Sequence, residues 1–207
     1  MQKDVTLVFH RQGLRSWIEV DLCPDCPRMD GKGCCGYYSP VFYLTDLVWI
    51  SHRDPGFLDR LFDLPRLTVL DFSITVNSLP DVDDSFRCQF HSTQRGCLLP
   101  LDLRESVCRI FVCPGIAWWN DQALKDWKKY FDDLEKFEIA LNNKVAQESL
   151  RHGWSLRRAE HRKNIIYLSK SLIDLNLYRE VPFGLDLPRR QEAKLAIELA
   201  FGNQWPL

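Results

Sequence analysis

Eight cysteines stand among 207 residues, and every one of them falls between Cys23 and Cys113. That is too sparse for a small disulfide scaffold, whose cysteine share is roughly twice as high. Clustered cysteines in an intracellular chain point instead to metal binding or redox chemistry. The first group is Cys23, Cys26, Cys34 and Cys35; the second is Cys88, Cys97, Cys108 and Cys113. Composition agrees with an ordinary folded chain, 45% hydrophobic and 27% charged with net charge −1. It argues against disorder, and the near-neutral balance argues against a dedicated nucleic-acid or anionic-membrane binder.

The N-terminal apolar run, Val5 to His10, is too short for a secretory h-region and has no small-residue cleavage site. Gln204-Trp205-Pro206-Leu207 carries no lipidation signal, and no stretch has the length of a membrane span. A cytoplasmic location is expected, with an exported chain lacking its leader as the alternative.

Periodicity predicts an α+β fold, and with the cysteine grouping the expected architecture is a small, loop-rich, metal-stabilised cysteine-cluster domain over 1–113 with an N-terminal hairpin, then a helical extension over 114–207 packed on it. Val5–His10 and Trp17–Val20 read as strands around the turn Gln12-Gly13. Tyr43–Ser51 and Gly56–Phe62 read as short helices, the first capped by Thr45 and the second opened by Asp54-Pro55. Leu67–Val76 reads as one strand, with or without a bend. After Cys113, Asn120 is placed to cap a long helix with Leu124, Trp127, Phe131, Leu134, Leu141 and Val145 on one face. A second helix is expected from about Lys163 to Leu177. A third is expected from Pro188 to just before Gly202, burying Leu195, Ile197 and Leu199.

Cys23-Pro24-Asp25-Cys26 has the spacing that lets one tight turn offer two thiolates to one ion. It lacks the strand-to-helix context of a thioredoxin-type redox pair. In the vicinal pair Cys34-Cys35, either one residue is a ligand and the other packs, or each serves a different ion. The second group, spaced C-x8-C-x10-C-x4-C, fits neither ferredoxin runs nor paired C-x-x-C zinc spacing. A site therefore has to be assembled by bringing 23–35 against 88–113. There are thiols enough for one four-ligand site with spares, or for two.

The segments Cys23-x2-Cys26, Gly33-Cys34-Cys35 and Leu44-Thr45-Asp46-Leu47, followed by Cys88-Gln89-Phe90, Gly96-Cys97 and Arg104-x3-Cys108-Arg109-x-Phe111, form an ordered pattern. It resembles the YkgJ-like cysteine-cluster family, described as zinc- or iron-chelating domains and related to the cysteine-rich part of flagellin lysine N-methylases. The resemblance covers about residues 23–113. Two departures stand out: seven residues separate Cys26 from Cys34, and Glu105 rather than proline follows Arg104. The resemblance implies that all eight cysteines are candidate metal ligands.

Zinc and a [4Fe–4S] cluster both suit four thiolates. The scattered ligands, the lack of finger-like histidines and the Cys-Pro steps at Cys23, Cys26 and Cys113 favour iron–sulfur. The expected function is metal binding with an electron-transfer or accessory role in a modification reaction. The alternatives are a zinc-stabilised interaction module and a methylase-like modifying enzyme. Arg109 and His91 are candidates for groups that sit behind the ligands and tune them. Gly31-x-Gly33-x-x-Gly36 matches a dinucleotide fingerprint only in letters, since no strand precedes it and cysteines occupy it. The basic run Arg151–Lys163 reads as a solvated helical face, and Trp118, Trp119 and Trp127 as core. Asp83-Asp84 and Asp132-Asp133 read as loop and helix-surface charges. A protein partner is expected on the helical region, without membrane or nucleic-acid binding.

Overall fold

The computed structural model describes residues 1–82 and 85–207; the Asp83-Asp84 pair lies outside them. The strands are β1 (Gln2–His10), β2 (Trp17–Val20), β3 (Val41–Tyr43), β4 (Leu67–Val69) and β5 (Ser73–Val76). Four two-residue strands follow, β6 (Leu79–Pro80), β7 (Phe86–Arg87), β8 (His91–Ser92) and β9 (Gly96–Cys97), and then β10 (Arg190–Glu198). The helices are α1 (Leu44–Arg53), α2 (Pro55–Phe62), α3 (Ser106–Ile110), α4 (Lys125–Arg151) and α5 (Ala159–Leu172). The α+β class holds: small antiparallel sheets come with a helical region after the cysteines.

β1 is the centre of the first sheet, ordered β10-β1-β2, because Val5, Leu7 and Phe9 alternate onto a face that is fully buried. The predicted β1–β2 hairpin is present, in antiparallel register from Leu7 opposite Val20 to His10 opposite Trp17. Its turn depends on Gly13, whose φ is +52°. A Cβ there would lie 2.2 Å from the Leu177 carbonyl oxygen and 2.6 Å from the Glu180 nitrogen. We expect Gly13→Ala to cost about 2 kcal/mol or more, from left-handed strain plus backbone overlap. A thermal melt of Gly13→Ala at the wild-type midpoint would contradict this.

The predicted third helix is instead strand β10, antiparallel to β1 from Arg190 opposite His10 to Glu198 opposite Gln2. The physical reason is visible in the segment itself. Leu195, Ile197 and Leu199 recur every second residue, which is the period of a strand. Gln191, Ala193, Leu195 and Ile197 are half-buried while Arg190, Glu192, Lys194, Ala196 and Glu198 face water. Residues 114–207 thus share a sheet with the N-terminus.

Other elements fall close to expectation. α2 is capped by Asp54, whose carboxylate accepts from the Phe57 N–H at 2.9 Å, with Pro55 in the first turn. α1 forms, but Thr45 lies inside it and is not its cap. The Asp46 carboxylate instead accepts from the Tyr43 N–H at 3.2 Å, and the Thr45 N–H donates to Asn142 on α4 at 2.9 Å. The 67–76 run is a hairpin of β4 and β5, with Leu67 opposite Val76, that reverses at Leu70–Phe72. The long helix starts at Lys125, after a turn capped by Asp121 rather than by Asn120. It buries Trp127, Phe131, Leu134 and Val145 as the spacing predicts, with Leu124 buried just before it and Leu141 only half-buried. α5 starts four residues and ends five residues earlier than expected, and Leu175–Tyr178 forms a separate 3-10 turn.

Trp118 and Trp127 close on Phe9 with ring centroids 5.0 and 5.2 Å away, whereas Trp119 is exposed. Asp132 and Asp133 are surface partners of Lys128 and Lys129. The basic run is solvated, with Arg151 paired to Glu148 and Arg157 to Asp71. Among the described residues no helix is long and apolar enough to cross a membrane.

Candidate metal centre

β2 leads directly into the first cysteine loop. Turn hydrogen bonds from Cys23 N–H to the Val20 carbonyl and from Met29 N–H to the Cys26 carbonyl fold it back on itself. Asp30 then shapes the glycine loop by accepting from Lys32 and Gly33 N–H at 3.0 and 2.7 Å. Gly33, at φ +53°, is where the chain turns inward. A Cβ there would sit 3.0 Å from the Cys26 sulfur, so this position leaves room for the thiol. Cys34 and Cys35 follow on a single 3-10 turn, Gly33–Gly36.

The second cysteine group is brought against this turn. The Cys88 N–H donates to the Cys35 carbonyl at 2.8 Å. Cys97, on β9, lies opposite His91 on β8, and the His91 N–H returns to the Cys88 carbonyl at 3.0 Å. The two sequence groups therefore meet in space. His91 sits within the second one; its Nδ1 is buried and finds no partner among the described residues, and burial lowers its pKa.

Cys108 stands at the head of α3, where Glu105 accepts from Val107 and Cys108 N–H at 2.7 and 2.8 Å. Arg109 does not serve the thiols. Its guanidinium, 1% exposed, donates to Glu138 at 3.1 Å, to the Ser16 carbonyl at 2.8 Å and to the Arg104 carbonyl at 3.2 Å. It is a buried clamp that fixes α3 against α4 and the hairpin. Arg15 adds a second buried pair with Asp46 at 2.9 Å, and its guanidinium also donates to the Asp102 and Arg104 carbonyls. Charged residues usually signal surface; of these four only Glu138 falls on a periodic apolar stripe, between Leu134 and Leu141 of α4.

Cys113 introduces a group that sequence reasoning missed. Trp205, 1% exposed, packs its ring on Gly115, where a Cβ would be 2.7 Å from it. The indole N–H faces the Cys113 sulfur and favours its thiolate, without closing an ordinary hydrogen bond. The same C-terminal segment reaches the first loop, where Gly202 N–H donates to the Pro27 carbonyl at 2.8 Å. The only signal in the sequence is an aromatic residue near a chain end, which alone is unremarkable.

All eight cysteines are free thiols. Cys23 and Cys108 keep solvent-exposed atoms, yet protein crowds their sulfurs. Burial pushes Cys23 up to about 12, with Cys34, Cys113 and Cys26 adding to the effect. Burial, then Glu105, pushes Cys108 up. Cys26, Cys88 and Cys113 rise for the same first reason. Within the vicinal pair, the Cys35 side chain lowers Cys34 to about 7, while Cys34 and burial raise Cys35. Grouped, crowded thiols resist becoming thiolates unless a cation joins them. Among the described residues no three His, Cys, Asp or Glu side chains stand close enough to hold an ion as they are. The donor set is therefore of the right chemistry and only roughly gathered. No family model, curated protein or solved structure matches this chain.

Proposed function

We propose that the chain is a metal-binding protein of the YkgJ-like kind, holding an iron–sulfur cluster of the [4Fe–4S] type through cysteine thiolates. Its role would be electron transfer or support of a modification reaction. The observation that carries this is the meeting of two cysteine groups far apart in sequence, joined by the Cys88–Cys35 backbone hydrogen bond at 2.8 Å. An all-sulfur donor set suits soft metals and iron–sulfur clusters. Free thiols suit a reducing compartment, in keeping with a cytoplasmic location. A protein partner would dock on the helical region, where Ile139, Leu150 and Tyr167 are exposed.

Structural zinc is the second reading. It is favoured by β6 to β9, strands of two residues each, which have little pairing of their own to hold the second cysteine group. A methylase-like enzyme finds less support, because Gly33–Gly36 forms the cysteine-bearing 3-10 turn rather than a nucleotide loop.

Purification without oxygen, followed by metal analysis and a visible absorption spectrum, separates these. Iron with sulfide and a brown colour is the expected result. Stoichiometric zinc in a colourless protein would replace it with the second reading. Cys→Ser changes at Cys23, Cys26, Cys97 and Cys108 are each expected to lower the metal content, and retention of full content by all four would defeat metal binding there.

A further inference from the structure

We infer that the cleft where the β1–β2 turn, the 3-10 turn Leu175–Tyr178 and the start of β10 meet binds the phosphate group of a small phosphate monoester. The cleft has a volume of about 670 Å3, and none of the eight cysteines lines it. That volume lies within the usual range of a small-molecule site.

Backbone hydrogen bonds between the three segments build its frame. The Arg11 N–H donates to the Arg189 carbonyl at 2.9 Å, and the Leu14 N–H donates to the Leu177 carbonyl at 2.8 Å. Gly13 lets the turn lie directly on the backbone of Leu177 to Glu180, where a Cβ has no room. The Arg11 guanidinium bridges the walls, donating to the Leu187 carbonyl and to the Glu180 carboxylate, each at 3.1 Å. On the hairpin side the rings of His10 and Trp17 stack at 4.1 Å and form a flat, stiff wall. A cleft fixed in this way loses little freedom when a ligand enters.

Most of the polar groups that line this frame are donors without an acceptor. Arg179 and Arg189 come from different segments, and neither forms an ion pair among the described residues. The side-chain amides of Gln12 and Asn176 likewise make no hydrogen bond among the described residues. The lining carboxylate, Glu180, is already held by Arg11. Glu19, beside the stacked rings, accepts from the Trp17 indole N–H at 3.1 Å and lies 3.2 Å from His10 Nε2. Two unpaired guanidinium forks and two amides suit the several oxygens of a phosphate dianion. A carboxylate brings only two oxygens and satisfies fewer of them. The chain carries a net charge of −1, so this local excess of donors is a property of the fold and not of composition. The rest of the cleft, beside Trp17, leaves space for the organic part of the ester.

Isothermal titration calorimetry of the full-length protein at fixed ionic strength tests this, with ribose 5-phosphate, ribose and inorganic phosphate as probes. Ribose 5-phosphate is expected to bind, inorganic phosphate to bind more weakly, and ribose not to bind. Arg179→Gln and Arg189→Gln are each expected to weaken ribose 5-phosphate binding by about tenfold, the loss of one charge-assisted contact. Arg158→Gln removes the same charge from the solvated basic run and is expected to leave affinity unchanged. All three arginines are exposed, and unaltered far-UV circular dichroism will report that the variants fold. Absence of ribose 5-phosphate binding, full affinity in both cleft variants, or an equal loss in Arg158→Gln would overturn the proposal. Inorganic phosphate binding as tightly as ribose 5-phosphate would overturn the ester and leave free phosphate as the ligand. Metal content is expected to be the same in wild type and all three variants, which keeps this result separate from that of the cysteines.

Discussion

Replacing Arg109 with alanine is expected to cost about 3–5 kcal/mol, the usual consequence of removing one member of a buried ion pair. Three acceptors lose their donor at once: the Glu138 carboxylate, the Ser16 carbonyl and the Arg104 carbonyl. For a chain of this length each kcal/mol lowers the melting temperature by about 2–4 °C, so a drop of roughly 6–20 °C is expected. A loss under about 1 kcal/mol would show that the clamp is not holding α3, since only surface substitutions are that mild. Metal content should fall too if the proposed thiolate site includes Cys108, because α3 carries that residue.

Glu138 gives the same network a pH signature. Burial, with Asp46 adding to it and Arg109 opposing, pushes its carboxyl up to about 7 from an ordinary 4.5. A carboxyl whose pKa is raised in the fold holds its proton longer there than in the unfolded chain. Its contribution to stability is complete below about pH 4.5 and is lost as pH rises to about 7. Urea unfolding of wild type across that window should show the decline, and Glu138→Gln should flatten it. An unchanged slope in the variant would remove Glu138 as its source.

Trp205→Ala is the second large effect. The ring is fully buried against Gly115, and loss of such an aromatic core side chain costs about 3–5 kcal/mol. The expected readout is a lower urea midpoint with the slope preserved. Trp205→Phe should recover much of the midpoint, because it restores an aromatic ring on Gly115, while removing the N–H that faces Cys113. A Trp205→Ala midpoint equal to wild type would mean that the C-terminal segment is not fastened over the cysteine loops.

Much of the chain's local structure is readable from residue order. The β1–β2 hairpin follows from two short apolar runs around Gln12-Gly13, and α2 from Asp54-Pro55. The amphipathic stripe of α4 follows from three- and four-residue spacing. The 190–198 segment is ambiguous in the sequence alone. Its alternation spans few residues and its charges fit a helix surface as well as a strand. The open edge of β1, nearly the whole chain away, settles it.

The same distinction applies to the candidate site. The amino-acid order by itself determines the chemistry: eight thiols, in two groups, with no histidine pair at finger-like spacing. Which thiol faces which is a property of the tertiary structure. Cys35 meets Cys88, and Cys26 is strapped towards Cys113 by Trp205, through backbone hydrogen bonds and packing between segments distant in sequence. The same holds for the burial of Arg15, Asp46, Arg109 and Glu138, since charged side chains ordinarily stay in water. Only the meeting of the hairpin turn, α1, α3 and α4 gives each of them a buried partner.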